Sequence, residues 1–121
     1  MNQNHDSLTQ VSLEEFAYLT TTGRITGEPH RIEIWFGVHD GRIFLMSGGR
    51  DRSDWVKNLI TNPKVNIEIS DERWTGIATV LAETSSSDQL ARSILVQKYG
   101  ANRDLERWGR ESLAIAIDLI G

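Results

Sequence analysis

A chain of 121 residues with 39% hydrophobic and 25% charged residues is long enough to bury one core and too close to the globular average to stay disordered. The absence of cysteine excludes disulfides, thiolate nucleophiles and Cys-ligated metals together, and a net charge of −4 argues against a nucleic-acid polymer, whose phosphates need a basic face. No apolar run approaches the ~20 residues that span a bilayer, and MNQNHDSLTQV lacks the charged and apolar regions of a secretory leader, so no membrane span and a cytoplasmic location are expected.

Residues 1–11 are polar and are expected to form a flexible tail, with a single domain over 12–121. Ser12 and Glu15 have capping-box spacing ahead of Phe16, which predicts a short helix there. Tyr18 to Thr22 is rich in β-formers and ends at Gly23, so it reads as a strand. Gly27 and Pro29 turn the chain back into a second strand over Arg31 to Val38, with Ile32, Ile34 and Phe36 on one face and Arg31, Glu33 and Trp35 on the other. Asp40-Gly41 is a hairpin signal, and Arg42 to Ser47 returns as a third strand.

The loop that follows, SGGRDRSDWVKNL, is polar, Gly-rich and locally cationic through Arg50, Arg52 and Lys57. Residues 53–61 have helical spacing, with Trp55, Val56, Leu59 and Ile60 toward the core, Ser53 or Asp51 as cap, and Pro63 as the stop. Val65, Ile67 and Ile69 alternate with polar residues as a strand, and a longer strand runs from Trp74 to Ala82. The Ser85-Ser86-Ser87 cluster opens a helix that buries Leu90, Ala91, Ile94 and Leu95 and ends at Gly100. Residues 101–110 form a charged connector, and Leu113 to Ile120 is a final strand. Six strands in meander order with few helices predict an α+β, mainly β, fold: a small, mostly antiparallel barrel with peripheral helices.

Two consecutive glycines let backbone amides approach a phosphate, and Arg50 and Arg52 can add forked hydrogen bonds; equally, the segment can be an ordinary loop with solvated arginines. It is no Walker loop, since GxxxxGK[ST] is absent. His5, His30 and His39 show no metal-ligand spacing, and only His30 could border a site. Nothing arranges a nucleophile with a base, which fits redox chemistry carried by a cofactor.

Several motifs resemble the deazaflavin (coenzyme F420)-dependent nitroreductase family: Thr21-Thr22-Gly23-Arg24-Ile25-Thr26-Gly27-Glu28-Pro29, Asp40-Gly41, Gly48-Gly49, Trp55-Val56-Lys57-Asn58-Leu59 and Asn62-Pro63. The match is close over residues 18–70 and holds elsewhere only in element order. The resemblance implies a split β-barrel, as in flavin mononucleotide oxidases, and an oxidoreductase in which reduced F420 passes a hydride to a nitroaromatic, quinone or activated alkene. Flavin mononucleotide (FMN) in the same fold, or a protein that binds either cofactor without turnover, is the alternative. By position, Ser47, Gly48, Gly49, Arg50, Arg52, Ser53, Asp54, Trp55, Lys57 and Asn58 inherit cofactor binding, with the Leu45 and Met46 backbone meeting the ring. Many relatives carry Pro before the tryptophan, whereas this chain has Ser53-Asp54; an acid facing an anion is unfavourable, so Asp54 is expected to cap the helix. Trp35, Tyr99 and Trp108 are candidates for the substrate side. Trp35 would border either the ring pocket or the partner in a homodimer.

Overall fold

The computed structural model of the chain describes residues 8–101 and 103–120. Seven strands, β1 (Ala17–Thr22), β2 (Pro29–Ile34), β3 (Gly37–His39), β4 (Arg42–Ser47), β5 (Lys64–Ile69), β6 (Glu72–Val80) and β7 (Leu113–Leu119), form one antiparallel sheet in the order β2-β1-β5-β6-β7-β4-β3. Helices α1 (Asp54–Thr61), α2 (Ser86–Tyr99) and α3 (Glu106–Glu111) and a 3-10 turn, Arg50–Arg52, lie outside it.

The two outer strands of the sheet, β2 and β3, are consecutive in the chain and separated only by Trp35 and Phe36. Three Cα steps of about 3.8 Å reach at most about 11 Å, so the sheet must curl until its edges nearly meet. This corrects the sequence reading of one strand over Arg31 to Val38. Ile34 pairs with Ala17 on β1, whereas Gly37 pairs with Phe44 on β4, and the chain changes sheet edges between them. The split barrel therefore has seven strands and not six.

Alternation along the strands builds two cores. Ile43 and Leu45 of β4 and Ile115 and Ile117 of β7 face the barrel interior with Leu19, Phe36, Ile67, Ile69 and Trp74. Phe44, Met46, Ala114 and Ala116 face outward and are covered by Ala91, Leu95 and Tyr99 of α2. Both faces of β7 are thus buried, which is why it reads as a continuous apolar run. Ser85 caps α2 by accepting from the Asp88 N–H at 3.1 Å, and Arg92 ties α2 to α3 through the Gly109 carbonyl at 2.9 Å.

Four local expectations change. Residues 8–11 are helical, with Leu8 and Val11 buried in the barrel core, so this part of the expected tail is anchored; residues 1–7, including His5, lie outside the described residues. The helix placed after Ser12 precedes it, and the Ser12 hydroxyl donates to the Thr9 carbonyl at 2.9 Å. Ile60, expected in the core, is 58% exposed, and the 101–110 connector contains the start of α3.

Candidate functional site

The site is built where β1 ends. Gly23 closes a turn by donating to the Glu28 carbonyl at 2.8 Å, Gly27 supplies the left-handed residue at φ 77°, and Arg24 is aimed across at α1. Arg24 donates through its guanidinium to Asn58 Oδ1 at 2.8 Å and to Asp54 Oδ1 at 3.2 Å, and its backbone N–H also reaches Asn58 Oδ1 at 3.2 Å. Asn58 is buried and completes the chain by donating to the Thr21 hydroxyl at 3.2 Å. An open cleft of about 660 Å³ runs beside this network, lined by Arg24, Pro29, His30, Arg31, Trp55 and Asn58 among others. Neither Arg24 nor Thr21 was read from the sequence as a site residue. The available signal was Arg24's place in the TTGR motif; its partner Asn58 lies 34 positions away.

The Gly-rich loop leads directly into α1, whose Asp54, Trp55 and Asn58 line the cleft. Ser47 donates to the Arg50 carbonyl at 2.9 Å, and its oxygen lies 2.9 Å from Ser53 Oγ, so with the Ser47 proton committed Ser53 donates to it. Ser53 stands at the N-cap position of α1 yet makes no side-chain cap bond, which leaves the first N–H groups of the helix without a side-chain acceptor. A Cβ at Gly49 would lie 2.5 Å from Ser53 Oγ, so any side chain there would push that hydroxyl away from Ser47. Gly48 is exposed, and a Cβ on it would meet the Trp108 indole at 3.5 Å.

Asp54, expected to cap α1, is instead its first residue and holds Arg24. Arg50, expected to meet a phosphate, is occupied structurally: it donates to the Glu111 carbonyl at 2.6 Å and to the Glu83 carboxylate, fastening the loop to the approach of α2 and the end of α3. Arg52 and Lys57 are exposed, and their side chains make no hydrogen bond or ion pair among the described residues. The Leu45 and Met46 side chains are buried in the two cores, so only their backbone can face a ligand. The β3 register stops at Phe44 while the β7 register continues to Ser47, so residues 45–47 have one edge without a strand partner.

The three aromatic candidates come together on the other side of the loop. Trp35 stacks on Tyr99, with centroids 4.2 Å apart and planes 2° from parallel, and meets Trp108 edge-on at 5.5 Å. Trp35 packs within its own chain, so its outward alternation is explained without a partner subunit. The Tyr99 hydroxyl takes the Phe36 N–H at 3.0 Å and donates to the Glu15 carbonyl at 2.8 Å. Burial raises its pKa to about 12, and burial brings Lys98 down to about 8.

These two groups give the fold opposite pH dependences. Between about pH 8 and 10.5 the folded state has released the Lys98 proton that the unfolded chain still holds, so Lys98 makes stability rise with pH. Between 10 and about 12 the folded state keeps the Tyr99 proton that the unfolded chain loses, so Tyr99 makes stability fall. Denaturation midpoints of Lys98→Met and Tyr99→Phe compared with wild type from pH 7 to 11 should isolate opposite slopes. Parallel profiles would remove both assignments.

The donor set fits a flat, anionic cofactor. An uncapped helix start, an exposed Gly48 and two exposed cations without internal partners, Arg52 and Lys57, all fall within residues 48–57, the stretch that also supplies Asp54 and Trp55 to the wall of the Arg24 cleft.

The family model for F420H(2)-dependent quinone reductase matches residues 2–119. Among solved structures, the fold is shared with the conserved hypothetical protein Rv2991 from Mycobacterium tuberculosis, at TM-score 0.77 and 20% identity over 100% of this chain and 82% of that one. It is shared with an F420-H2 dependent reductase, FDR-A, at TM-score 0.70 and 17% identity over 87% and 95%. The heme storage protein HutZ from Vibrio cholerae superposes at TM-score 0.78 and 13% identity over 99% and 92%. At these identities the neighbours show the split-barrel fold alone. With the family model spanning nearly the whole chain and a donor set suited to its cofactor, this protein belongs to the F420H(2)-dependent quinone reductase family, oxidoreductases whose cofactor is coenzyme F420.

Proposed function

We propose that the protein reduces an electron-poor small molecule, a quinone, nitroaromatic or activated alkene, with its cofactor seated between the Gly48 loop and the Arg24–Trp55 cleft. The observation that carries this placement is the pairing of an uncapped α1 start with two cations, Arg52 and Lys57, that have no internal partner. Those groups bind the anionic tail, while the unpaired edge of Leu45–Ser47 offers backbone donors and acceptors to a ring. When bound, reduced F420 supplies the hydride from a ring carbon. The chain's own part is to orient and to exclude water. Tyr99 is no proton donor in this scheme, because its hydroxyl is tied to Phe36 and Glu15 and its pKa stands near 12.

The test is a salt-matched fluorescence titration with F420 and with FMN, followed by anaerobic reoxidation of the bound reduced cofactor by an added quinone or nitroaryl acceptor. Tighter F420 binding and reoxidation support the proposal; tighter FMN binding favours the FMN reading, and binding without reoxidation favours a carrier. Arg52→Ala should weaken F420 binding by roughly 1 to 3 kcal/mol, the loss of a charge-assisted hydrogen bond, and less at high salt. Arg50→Ala should lower the melting temperature while leaving that affinity in place, since Arg50 serves the loop's anchorage.

A homodimer belongs to the same proposal. The outer face of β1, β2, β5 and β6 carries Tyr18, Arg31, Glu68, Arg73 and Thr75 around a depression of about 430 Å³, with Arg31 and Glu68 paired at 3.3 Å. It is the face a second copy would cover, and light scattering reads the mass directly. No helix among the described residues is long and apolar enough to cross a membrane; a cytoplasmic location is part of this reading.

A further inference from the structure

A second pocket, of about 460 Å³, lies at the end of α2 and shares no lining residue with the cleft beside Arg24. Leu13, Glu15, Lys98, Tyr99, Ala101 and Arg103 line it. Lys98 Nζ donates to the Phe36 carbonyl at 3.0 Å and sits 3.6 Å from the centroid of the Phe36 ring and 5.1 Å from that of Tyr99. Among the described residues no carboxylate pairs with it within 4.0 Å. A half-buried ammonium without an anion gives up its proton readily, and the neutral amine is a nucleophile. The charged and titratable groups around it are Glu14 and Glu15 from the segment before β1, Arg103 from the turn after α2, and Tyr99 on its own helix. Glu14 opposes the loss of the proton without reversing it.

Arg103 gives the pocket a place for an anion. One guanidinium nitrogen donates to the Tyr99 carbonyl at 3.2 Å, and the group lies 5.0 Å over the Trp35 ring. Its remaining N–H groups meet no acceptor among the described residues. We propose that this pocket is an acylation site, in which Arg103 seats the phosphate of a small acyl phosphate and the Lys98 amine takes the acyl group. The neutral Nζ attacks the acyl carbon; the C–N bond forms as the C–O bond to phosphate breaks, phosphate leaves with that electron pair, and the surplus Nζ proton passes to solvent. The product amide carries no charge to hold over Phe36, so acylation loosens the link that joins β2 to β3.

The chain has three lysines, Lys57, Lys64 and Lys98, which makes the site readable by peptide mass spectrometry. Treated with acetyl phosphate at pH 8, the folded protein should acquire acetyl on Lys98 several-fold faster than on Lys57 or Lys64, and the advantage should vanish in urea. Arg103→Ala should slow that reaction several-fold while leaving Lys98 labelling by uncharged acetyl N-hydroxysuccinimide unchanged. Equal rates at the three lysines, or an acetyl phosphate rate indifferent to Arg103→Ala in a protein of normal melting temperature, overturn the proposal.

Discussion

Tyr99→Ala is expected to remove about 3 to 5 kcal/mol of stability, the range for emptying a buried aromatic site. The ring is 5% exposed, stacks on Trp35 and closes the outer core between α2 and the β4–β7 face. Its hydroxyl also joins three parts of the chain, since Phe36 and Glu15 lie 63 and 84 positions away. Tyr99→Phe keeps the ring and strands the Phe36 N–H, at a cost of about 1 to 3 kcal/mol. Urea denaturation should show both steps as falls in midpoint with the slope unchanged. A Phe variant as stable as wild type would show that the hydroxyl's bonds contribute nothing net, and would detach Tyr99 from the closure at Trp35–Phe36.

Arg24→Ala is the second large effect, and it falls on the cofactor. Removing this guanidinium takes one cation from the cleft and frees the Asp54 carboxylate, which is 86% exposed, at the very start of α1 where an anion is to sit. Affinity for F420 should fall by roughly 10- to 100-fold, about 1.5 to 3 kcal/mol, more than for Arg52→Ala. Asp54→Ala in the same background should restore part of it, because the freed charge is then absent. The double-mutant cycle measures the coupling. If Arg24→Ala and the double variant bind equally weakly, Asp54 has no part in the loss and Arg24 contacts the cofactor directly.

The local elements were legible because their causes are local. Alternation placed β1, β4 and β5 nearly to the residue, Ser85 and Gly100 bounded α2, and Asp40-Gly41 marked its hairpin, where both residues adopt positive φ. Side-chain roles in the loop were less legible. Arg50 and Arg52 are two positions apart and chemically identical, yet Glu83 and the Glu111 carbonyl hold only the first. Those partners lie 33 and 61 residues further on, and no spacing rule reaches them.

From the sequence alone came the β-rich fold, the Gly-Gly loop leading into an amphipathic helix, and the motifs that point to a deazaflavin enzyme, all properties of short windows. Only the tertiary structure decided that the strand after Pro29 breaks at Trp35. A barrel closes by bringing distant sheet edges together, and a continuous strand cannot pair with both β1 and β4. It decided likewise that Arg24, Asn58 and Thr21 form one network and that Trp35, Tyr99 and Trp108 form one cluster, since folding alone sets which side chains meet across 34 to 73 positions of chain.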